Sequence, residues 1–214
     1  MRRRFRDRAH AGAELAERLG AYRGVDGVVL GLPRGGVAVA APVAAALELP
    51  LDAYVVRKLG VPGHEELAMG AIAARGVVVW NDDVVKSMRV SDERRQAVVD
   101  RERAELERRE SAYRGDREAL AVRDRVMVVV DDGLATGATM EAAVAALRID
   151  APASIVVAVP VAPRAAVHAL QAVVDDVVAI VVPRHFGAVG EWYDDFRSTT
   201  DAEVVELLSR SRRA

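Results

Sequence analysis

Cysteine is absent from this chain of 214 residues. Disulfide bonds, thiolate nucleophiles, cysteine-ligated zinc and iron–sulfur clusters are therefore excluded. Aromatic residues are scarce at 4%, although 51% of the residues are hydrophobic, so the core has to be built mainly from Val, Ala and Leu. That apolar content suffices for a folded domain and excludes a disordered chain.

An excess of basic charge is also lacking, because 30 Lys and Arg face 32 Asp and Glu. A net charge of −2 argues against a uniformly basic nucleic-acid-binding protein, and we expect no nucleic-acid partner. The longest uncharged apolar run, residues 35–47, is too short to cross a bilayer, which takes about 20 residues. The basic start lacks the apolar segment of a signal peptide. We therefore expect a cytoplasmic protein with no membrane partner.

Short apolar runs alternate with segments of helical spacing along the chain. Runs that are apolar on both faces are typical of strands in a parallel sheet, and strands that alternate with helices predict an α/β fold with helices on both faces of a twisted parallel sheet. The predicted strands are residues 27–32, 53–56, 77–80, 126–130, 155–159 and 177–182, and the predicted helices are residues 5–23, 37–47, 91–113, 137–148, 164–173 and 201–210.

Two segments interrupt this alternation. Residues 91–117 are dense in charge and carry a thin apolar stripe through Val99, Leu106 and Tyr113, which predicts an inserted, solvated helix that Ser91 can cap. The alternative is that this helix dimerises as a coiled coil, so the sequence does not exclude a homo-oligomer. The tail, residues 183–214, contains four of the nine aromatic residues before the last predicted helix.

The most informative stretch is residues 126–140, VMVVVDDGLATGATM. A buried strand runs into Asp131 and Asp132, and a loop with two glycines and two threonines then opens a helix. Backbone N–H groups at a helix N-terminus attract an anion, and glycines allow the chain to curl around a phosphate. The carboxylates would repel that phosphate unless they bound something else, such as sugar hydroxyls or a metal. The chemistry that fits both halves of the loop is a ribose 5-phosphate.

Competing motifs fit this loop less well. A P-loop requires a lysine that this stretch lacks, and the glycines of residues 31–36 do not have the spacing of a dinucleotide-binding fold. No serine-hydrolase motif is present, and the four histidines have no ligand spacing. The structural alternative to a phosphate-binding loop is an ordinary turn from strand to helix, capped by the aspartates.

The string VVVDDGLATGAT resembles the signature with which type I phosphoribosyltransferases bind phosphoribosyl pyrophosphate, PRPP. The resemblance covers residues 26–182 and places the chain near a poorly characterised group of these proteins. It implies one domain over residues 1–214 with the parallel α/β fold. It also implies that Asp131 and Asp132 bind the ribose hydroxyls. The residues implied to bind PRPP through its 5-phosphate are Gly133, Ala135, Thr136, Gly137, Ala138 and Thr139.

The resemblance also implies a pyrophosphate site. Arg34, Gly35 and Gly36 follow the first predicted strand and resemble the pyrophosphate loop. Arg57 and Lys58 stand at the end of the next predicted strand and resemble an Arg–Lys pair that some members place against pyrophosphate. Arg34, Lys58, Asp131 and Asp132 are the implied catalytic residues. The structural alternatives are a solvent-facing arginine in a helix-starting turn and an ordinary lysine at a strand end. Residues 60–70 stand where the family has a mobile lid, but they carry Glu65 and Glu66 where some members have basic residues.

The acceptor site would lie under a hood of terminal segments, with residues 183–214 as the candidate. Phe186, Trp192 or Tyr193 could stack on a ring there, or they could simply seal the end of the sheet. The resemblance implies a magnesium-dependent pentosyltransferase of nucleotide metabolism. Its partners would be PRPP, with Mg²⁺ carried mainly on the pyrophosphate, and an unidentified small acceptor resembling a nucleobase. The alternative function is a non-catalytic sensor of PRPP or a nucleotide.

Overall fold

The computed structural model describes residues 4–115 and 120–211. Two segments singled out in the sequence extend past these limits. Residues 116 and 117 of the inserted segment, and residues 212–214 of the tail, lie outside the described residues.

A five-stranded sheet forms the centre of the molecule. All of its neighbouring strands are parallel, in the order β2-β1-β6-β7-β8, which confirms the predicted fold class. Its strands are β1 (Gly27–Gly31), β2 (Leu51–Ala53), β6 (Val126–Val130), β7 (Ser154–Val161) and β8 (Asp176–Val181).

Helices cover both faces of this sheet, because successive strand residues point to opposite sides and both sides are apolar. One buried cluster joins Val29 and Val128 to residues of four helices, three of which cover that face of the sheet, and a second joins Val28 and Val129 to two others. On the first face lie α1 (Arg8–Arg18), α2 (Gly35–Leu47) and α7 (Asp201–Arg210), and on the second lie α5 (Ala138–Ile149) and α6 (Arg164–Gln171).

A separate antiparallel sheet replaces two of the predicted core strands. It has the order β3-β4-β5, formed by β3 (Val56–Val61), β4 (His64–Ala73) and β5 (Val77–Trp80). The prediction of parallel strands at residues 53–56 and 77–80 is therefore wrong at both places, since residues 51–53 form the core strand and residues 77–80 pair with β4. The segment expected to be a lid loop is a β-hairpin, turning at Gly63, whose φ of 85° suits glycine.

The inserted helix is present as α4 (Asp92–Arg114), and a short α3 (Asp82–Ser87) precedes it. The predicted apolar stripe of α4, formed by Val99, Leu106 and Tyr113, is buried. The hydroxyl of Ser91 caps the first turn of α4 by accepting from the N–H of Arg94. The helix packs on β3 and β4 on one side and on α7 on the other. Helix α4 thus braces the small sheet against the main domain.

The N-terminal segment and the tail pair with each other. Phe5 is fully buried and forms a parallel bridge with Tyr193, and its N–H donates to the carbonyl of Trp192 at 2.8 Å. These residues form a third apolar cluster with Ala11 and Val161, at the end of β7. We call the paired residues 4–8 and 191–197 the hood. Within the described residues, no helix is both long enough and apolar enough to cross a bilayer.

Candidate functional site

The loops that follow β1 and β6 lie side by side, because these two parallel strands are neighbours in the sheet. The N–H of Leu32 donates to the carbonyl of Val130 at 2.9 Å, which joins the two loops at their start. A Cβ built on Gly36 would lie 2.6 Å from that same carbonyl oxygen and 3.0 Å from Oδ1 of Asp131, and one on Gly35 would overlap Oδ2 of Asp132. The predicted pyrophosphate loop therefore needs both glycines to pack against the two aspartates.

Asp131 and Asp132 are half-buried at the end of β6, and the N–H of Asp132 donates to Oδ1 of Asp131 at 2.8 Å. Burial raises the pKa of the Asp131 carboxyl well above its usual range, and the neighbouring Asp132 charge adds to that shift. Burial also raises the pKa of Asp132, but an adjacent guanidinium opposes this shift. Positive charge thus compensates only in part for the burial of the two carboxylates.

That guanidinium belongs to Arg8, which no motif in the sequence singles out. Its Nε and Nη2 lie 2.8 and 2.7 Å from Oδ2 of Asp132. On the other side of the same aspartate, the hydroxyl of Tyr193 donates to its backbone carbonyl at 2.6 Å. The hood thus contacts Asp132 through both its side chain and its main chain. Nothing in the arginine-rich start of the sequence distinguishes Arg8 from its neighbours.

The predicted phosphate loop leads from Asp132 into α5. Gly133 packs so tightly that a Cβ would lie 2.6 Å from Val189, and the N–H of Leu134 donates to the carbonyl of Val161 at 2.9 Å. Gly137 adopts a φ of 85° immediately before α5, where glycine is favoured. Ala135, Thr136 and Thr139 are exposed, and Ala138 is half-buried. The first-turn N–H groups of a helix lack intrahelical acceptors, so this exposed turn can bind an anion.

Arg34 and Lys58 are both exposed, and among the described residues neither side chain forms a hydrogen bond or an ion pair. Arg34 precedes the first residue of α2, next to the glycines of its loop. Lys58 does not close a core strand as predicted. It lies within β3 and lines a cleft of about 760 Å³ with Thr136 and Ala138. Arg34, Asp131 and Asp132 are not among the described residues that line this cleft. The structure therefore groups Lys58 with the phosphate loop, while the loop that carries Arg34 packs against Asp131 and Asp132 through Gly35 and Gly36.

The three aromatic residues considered for the acceptor lie in the hood or next to it. Trp192 and Tyr193 are only 3% and 2% exposed, so in this structure they seal the end of the sheet and present no ring face to a ligand. Phe186 is half-buried at the edge of the same cluster. Of the three rings, only Phe186 is open to contact with a bound acceptor.

Similarity to known proteins extends over most of the chain. The model of the phosphoribosyl transferase domain matches residues 6–196. Two Mycobacterium tuberculosis proteins, each named "Putative phosphoribosyl transferase", are 46% identical to the chain over 209 residues, which is 98% of this chain and 47% of each relative. The chain thus spans about half the length of these curated relatives.

Solved structures show the same architecture. The crystal structure of TT1426 from Thermus thermophilus superimposes with a TM-score of 0.88 at 45% identity, over 97% of this chain and 98% of that one. The AQ2163 protein from Aquifex aeolicus is similar at a TM-score of 0.50 and 10% identity, over 82% and 74% of the two chains. The second likeness concerns the fold alone.

Proposed function

The chain belongs to the phosphoribosyl transferase domain family, and from that premise we propose that it transfers the phosphoribosyl group of PRPP to a small acceptor. The single observation that supports this function best is the placement of Asp131 and Asp132. They lie between the glycine loop that follows β1 and the exposed first turn of α5. A carboxylate pair that accepts from ribose hydroxyls is thereby flanked by two regions of backbone suited to phosphates.

In this proposal each loop binds one part of PRPP. Asp131 and Asp132 accept from the 2- and 3-hydroxyls of the ribose. The loop from Gly133 to Thr139 donates to the 5-phosphate through N–H groups and hydroxyls, and Gly35 and Gly36 expose N–H groups to the pyrophosphate. The exposed guanidinium of Arg34 matches two phosphate oxygens, and the ammonium of Lys58 approaches from β3 as a point charge.

Magnesium fits this set of residues as a companion of the substrate. Mg²⁺ retains several waters and binds largely through substrate phosphates, so it needs few protein ligands. No group of three or more His, Asp or Glu side chains with the geometry of a metal centre occurs among the described residues. The oxygens of the pyrophosphate would therefore hold the ion, and it would add positive charge beside that of Arg34 and Lys58.

The reaction is a substitution at the anomeric carbon of the ribose. The bond from this carbon to the pyrophosphate oxygen breaks, and the bonding electrons leave with pyrophosphate. The acceptor supplies the electron pair of the new bond and gives up its proton. Positive charge builds on the ribose and negative charge on the leaving group, so the two cationic side chains act mainly on the transition state.

The acceptor is proposed to be a flat ring resembling a nucleobase, with Phe186 as the half-buried aromatic residue beside it. The alternative function is a non-catalytic sensor that binds PRPP or a nucleotide. One observation favours keeping this alternative, namely that Trp192 and Tyr193 are buried in the hood and present no ring face on which an acceptor could stack. The two functions differ in whether pyrophosphate is released.

The test combines binding with turnover. PRPP with Mg²⁺ should raise the melting temperature of the chain by linkage, and pyrophosphate release should appear with one member of a panel of bases. Replacing Asp131 and Asp132 with Asn should weaken PRPP affinity at least about tenfold, because each charge-assisted bond contributes about 1.5–3 kcal/mol.

A matched control is the double Asn variant of Asp175 and Asp176, an adjacent pair at the start of β8, where Asp175 contacts Arg148 and Asp176 contacts Tyr22. This control should bind PRPP normally. No melting shift at millimolar PRPP would overturn the proposal, whereas a shift without pyrophosphate release from any acceptor would favour the sensor.

A further inference from the structure

The side chain of Arg8 is held in place by contacts with three residues, Asp132, Arg197 and Phe196. Nε and Nη2 both donate to a single carboxylate oxygen, Oδ2, at 2.8 and 2.7 Å. Nη1 donates to the backbone carbonyl of Arg197 at 2.7 Å, and the guanidinium carbon lies 4.0 Å from the centroid of the Phe196 ring. The side chains of Arg8 and Asp132 are only 12% and 16% exposed. This is a buried, multiply anchored ion pair, not a mobile surface contact.

The backbone that carries Arg8 is fixed as well. Arg8 is the first residue of α1, and the carboxylate of Asp7 caps that helix by accepting from the N–H of His10 at 2.7 Å. Two residues before the cap, the carbonyl of Phe5 accepts from the N–H of Asp194 at 2.8 Å. Arg8 is therefore held in place before any ligand arrives, which lowers the entropic cost of using it in a site.

The geometry of the ion pair leaves part of each carboxylate open. Both Arg8 contacts fall on Oδ2 of Asp132, and among the described residues no donor reaches its Oδ1. Asp131 uses Oδ1 to accept from the N–H of Asp132, and among the same residues no donor reaches its Oδ2. One oxygen from each aspartate thus remains for a ligand with two neighbouring hydroxyls.

We propose that Arg8 is a positioning residue for the ribose: it fixes the Asp132 carboxylate in its ionised form, with Oδ1 directed to accept a hydroxyl of the phosphoribosyl group. This inference rests on the proposed function and deepens it, since it adds Arg8, through its contact with Asp132, to the residues that form the ribose site. Arg8 does not touch the reacting atoms. It acts through Asp132.

The charges around Asp132 determine how this role depends on pH. Asp131 lies beside it in the same loop, Arg8 faces it from α1, and the buried phenol of Tyr193 faces it from the tail. Burial and the two carboxylates raise the pKa of Tyr193, so this phenol stays neutral and supplies no counter-charge. Among the described residues, Arg8 is the one cation that lowers the pKa of Asp132. Without it that pKa rises further, and PRPP binding should weaken most on the acid side.

The experiment measures the affinity for PRPP with Mg²⁺ by calorimetry, from about pH 6 to about pH 8.5. At each pH the affinity of the variant is divided by that of the wild type. Protonation of PRPP itself affects both proteins equally and therefore cancels in this ratio. Arg8→Met should weaken affinity at least about tenfold near pH 6, and this deficit should shrink as pH rises. Arg8→Lys loses the two-point contact and the stacking on Phe196 but keeps a cation at Asp132, so it should recover part of the affinity near pH 6 and remove the pH dependence of the deficit. Arg8→Gln keeps one donor without charge and should reproduce the pH-dependent deficit if the Met variant does not fold.

Arg4→Met is the matched control. Arg4 also joins the N-terminal segment to the tail, through the carbonyl of Glu191 and the carboxylate of Asp194, but it is exposed and does not contact Asp132. This variant should bind PRPP like wild type at every pH. The inference is overturned if Arg8→Met binds PRPP as well as or better than wild type, which would make Arg8 a plug that the substrate displaces. A deficit that is equal at all pH values and not rescued by Lys would also overturn it, leaving a purely structural role. Failure of the wild type to bind PRPP would instead overturn the proposed function, and this inference with it.

Discussion

Arg57 and Glu102 form a two-point ion pair between β3 and α4, with Nε and Nη2 of the arginine 2.9 and 2.5 Å from Oε2 of the carboxylate. Glu102 is a buried residue of α4, and Arg101 contacts its other oxygen at 3.1 Å. Successive strand residues point to opposite faces. Arg57 therefore faces α4, while its neighbour Lys58 lines the cleft beside the phosphate loop. The two basic residues that look like one functional pair in the sequence thus have different surroundings in the structure.

Replacing Glu102 with Gln should destabilise the fold, because the substitution leaves the half-buried guanidinium of Arg57 without its counter-charge. Removing one partner of a buried ion pair is costly, and here we expect a loss of about 2–4 kcal/mol in the free energy of unfolding, measured by urea denaturation. Glu105→Gln is the control on the same helix, since the contacts of Glu105 among residues 4–115 and 120–211 are with Arg108 and Arg109 of α4 itself. Equal effects of the two substitutions would show that α4 is not anchored through Glu102.

Replacing Lys58 with Met should separate catalysis from binding. The aliphatic stem is retained and the ammonium is lost, so packing should change little. If the charge acts on the departing pyrophosphate, pyrophosphate release should slow about a hundredfold while PRPP affinity changes much less. The chain offers a matched control in Lys86→Met, on the exposed surface of α3. Equal losses of rate and affinity would make Lys58 a plain binding residue.

Replacing Gly35 with Ala should damage the site through sterics alone. The new Cβ would overlap Oδ2 of Asp132 and lie 2.9 Å from Nε of Arg8, so the ion pair has to move. Overpacking of this kind costs about 1–3 kcal/mol, and the displaced carboxylate should also bind PRPP more weakly. Gly20→Ala has no atom within 4 Å of its new Cβ and should behave like wild type. Thermal melts and PRPP titrations of both variants would check this. Normal binding by the Gly35 variant would refute the close packing of the two loops.

Replacing Asp131 with Asn should stabilise the ligand-free protein while it abolishes tight PRPP binding. The pKa of Asp131 lies above its usual value of 3.8 because of burial first and the charge of Asp132 second. A raised pKa means that the stability contribution of this group is present below pH 3.8 and is lost as pH rises through the folded-state value. At neutral pH the variant should therefore melt higher, by about 2–4 °C for each kcal/mol. The advantage should vanish on acidification, and an advantage that persists at low pH would show that the buried charge is not its source.

The parts of this structure that the sequence predicted are those with a local signal. The buried run at residues 126–130, the two aspartates and the glycines at positions 133 and 137 lie in one continuous stretch, and β6, the loop and α5 form where expected. The strands at residues 53–56 and 77–80 were misassigned because a short apolar run looks the same in a parallel core and in a half-buried antiparallel sheet. The spacing of apolar residues alone does not distinguish these two kinds of strand.

Arg8 could not be predicted for a different reason. Its importance comes from a contact with a residue 124 positions away, and such a contact leaves no periodicity in the neighbouring sequence. The same holds for Tyr193, whose hydroxyl bonds to the main chain of Asp132, 61 positions earlier. The tail is recognisably aromatic in the sequence, but whether its rings face a ligand or the core is decided by packing that only the folded chain defines.

The pairing of residues 4–8 with residues 191–197 also determines when the site is finished during synthesis. Arg4 finds its carbonyl partner 187 residues later in the chain, and contacts of such high sequence separation form slowly because a long loop has to close first. During synthesis, residues 4–8 have no tail to pair with until residues 191–197 have been made. The proposed ribose pocket can thus be completed only after the last strand of the main sheet has been synthesised.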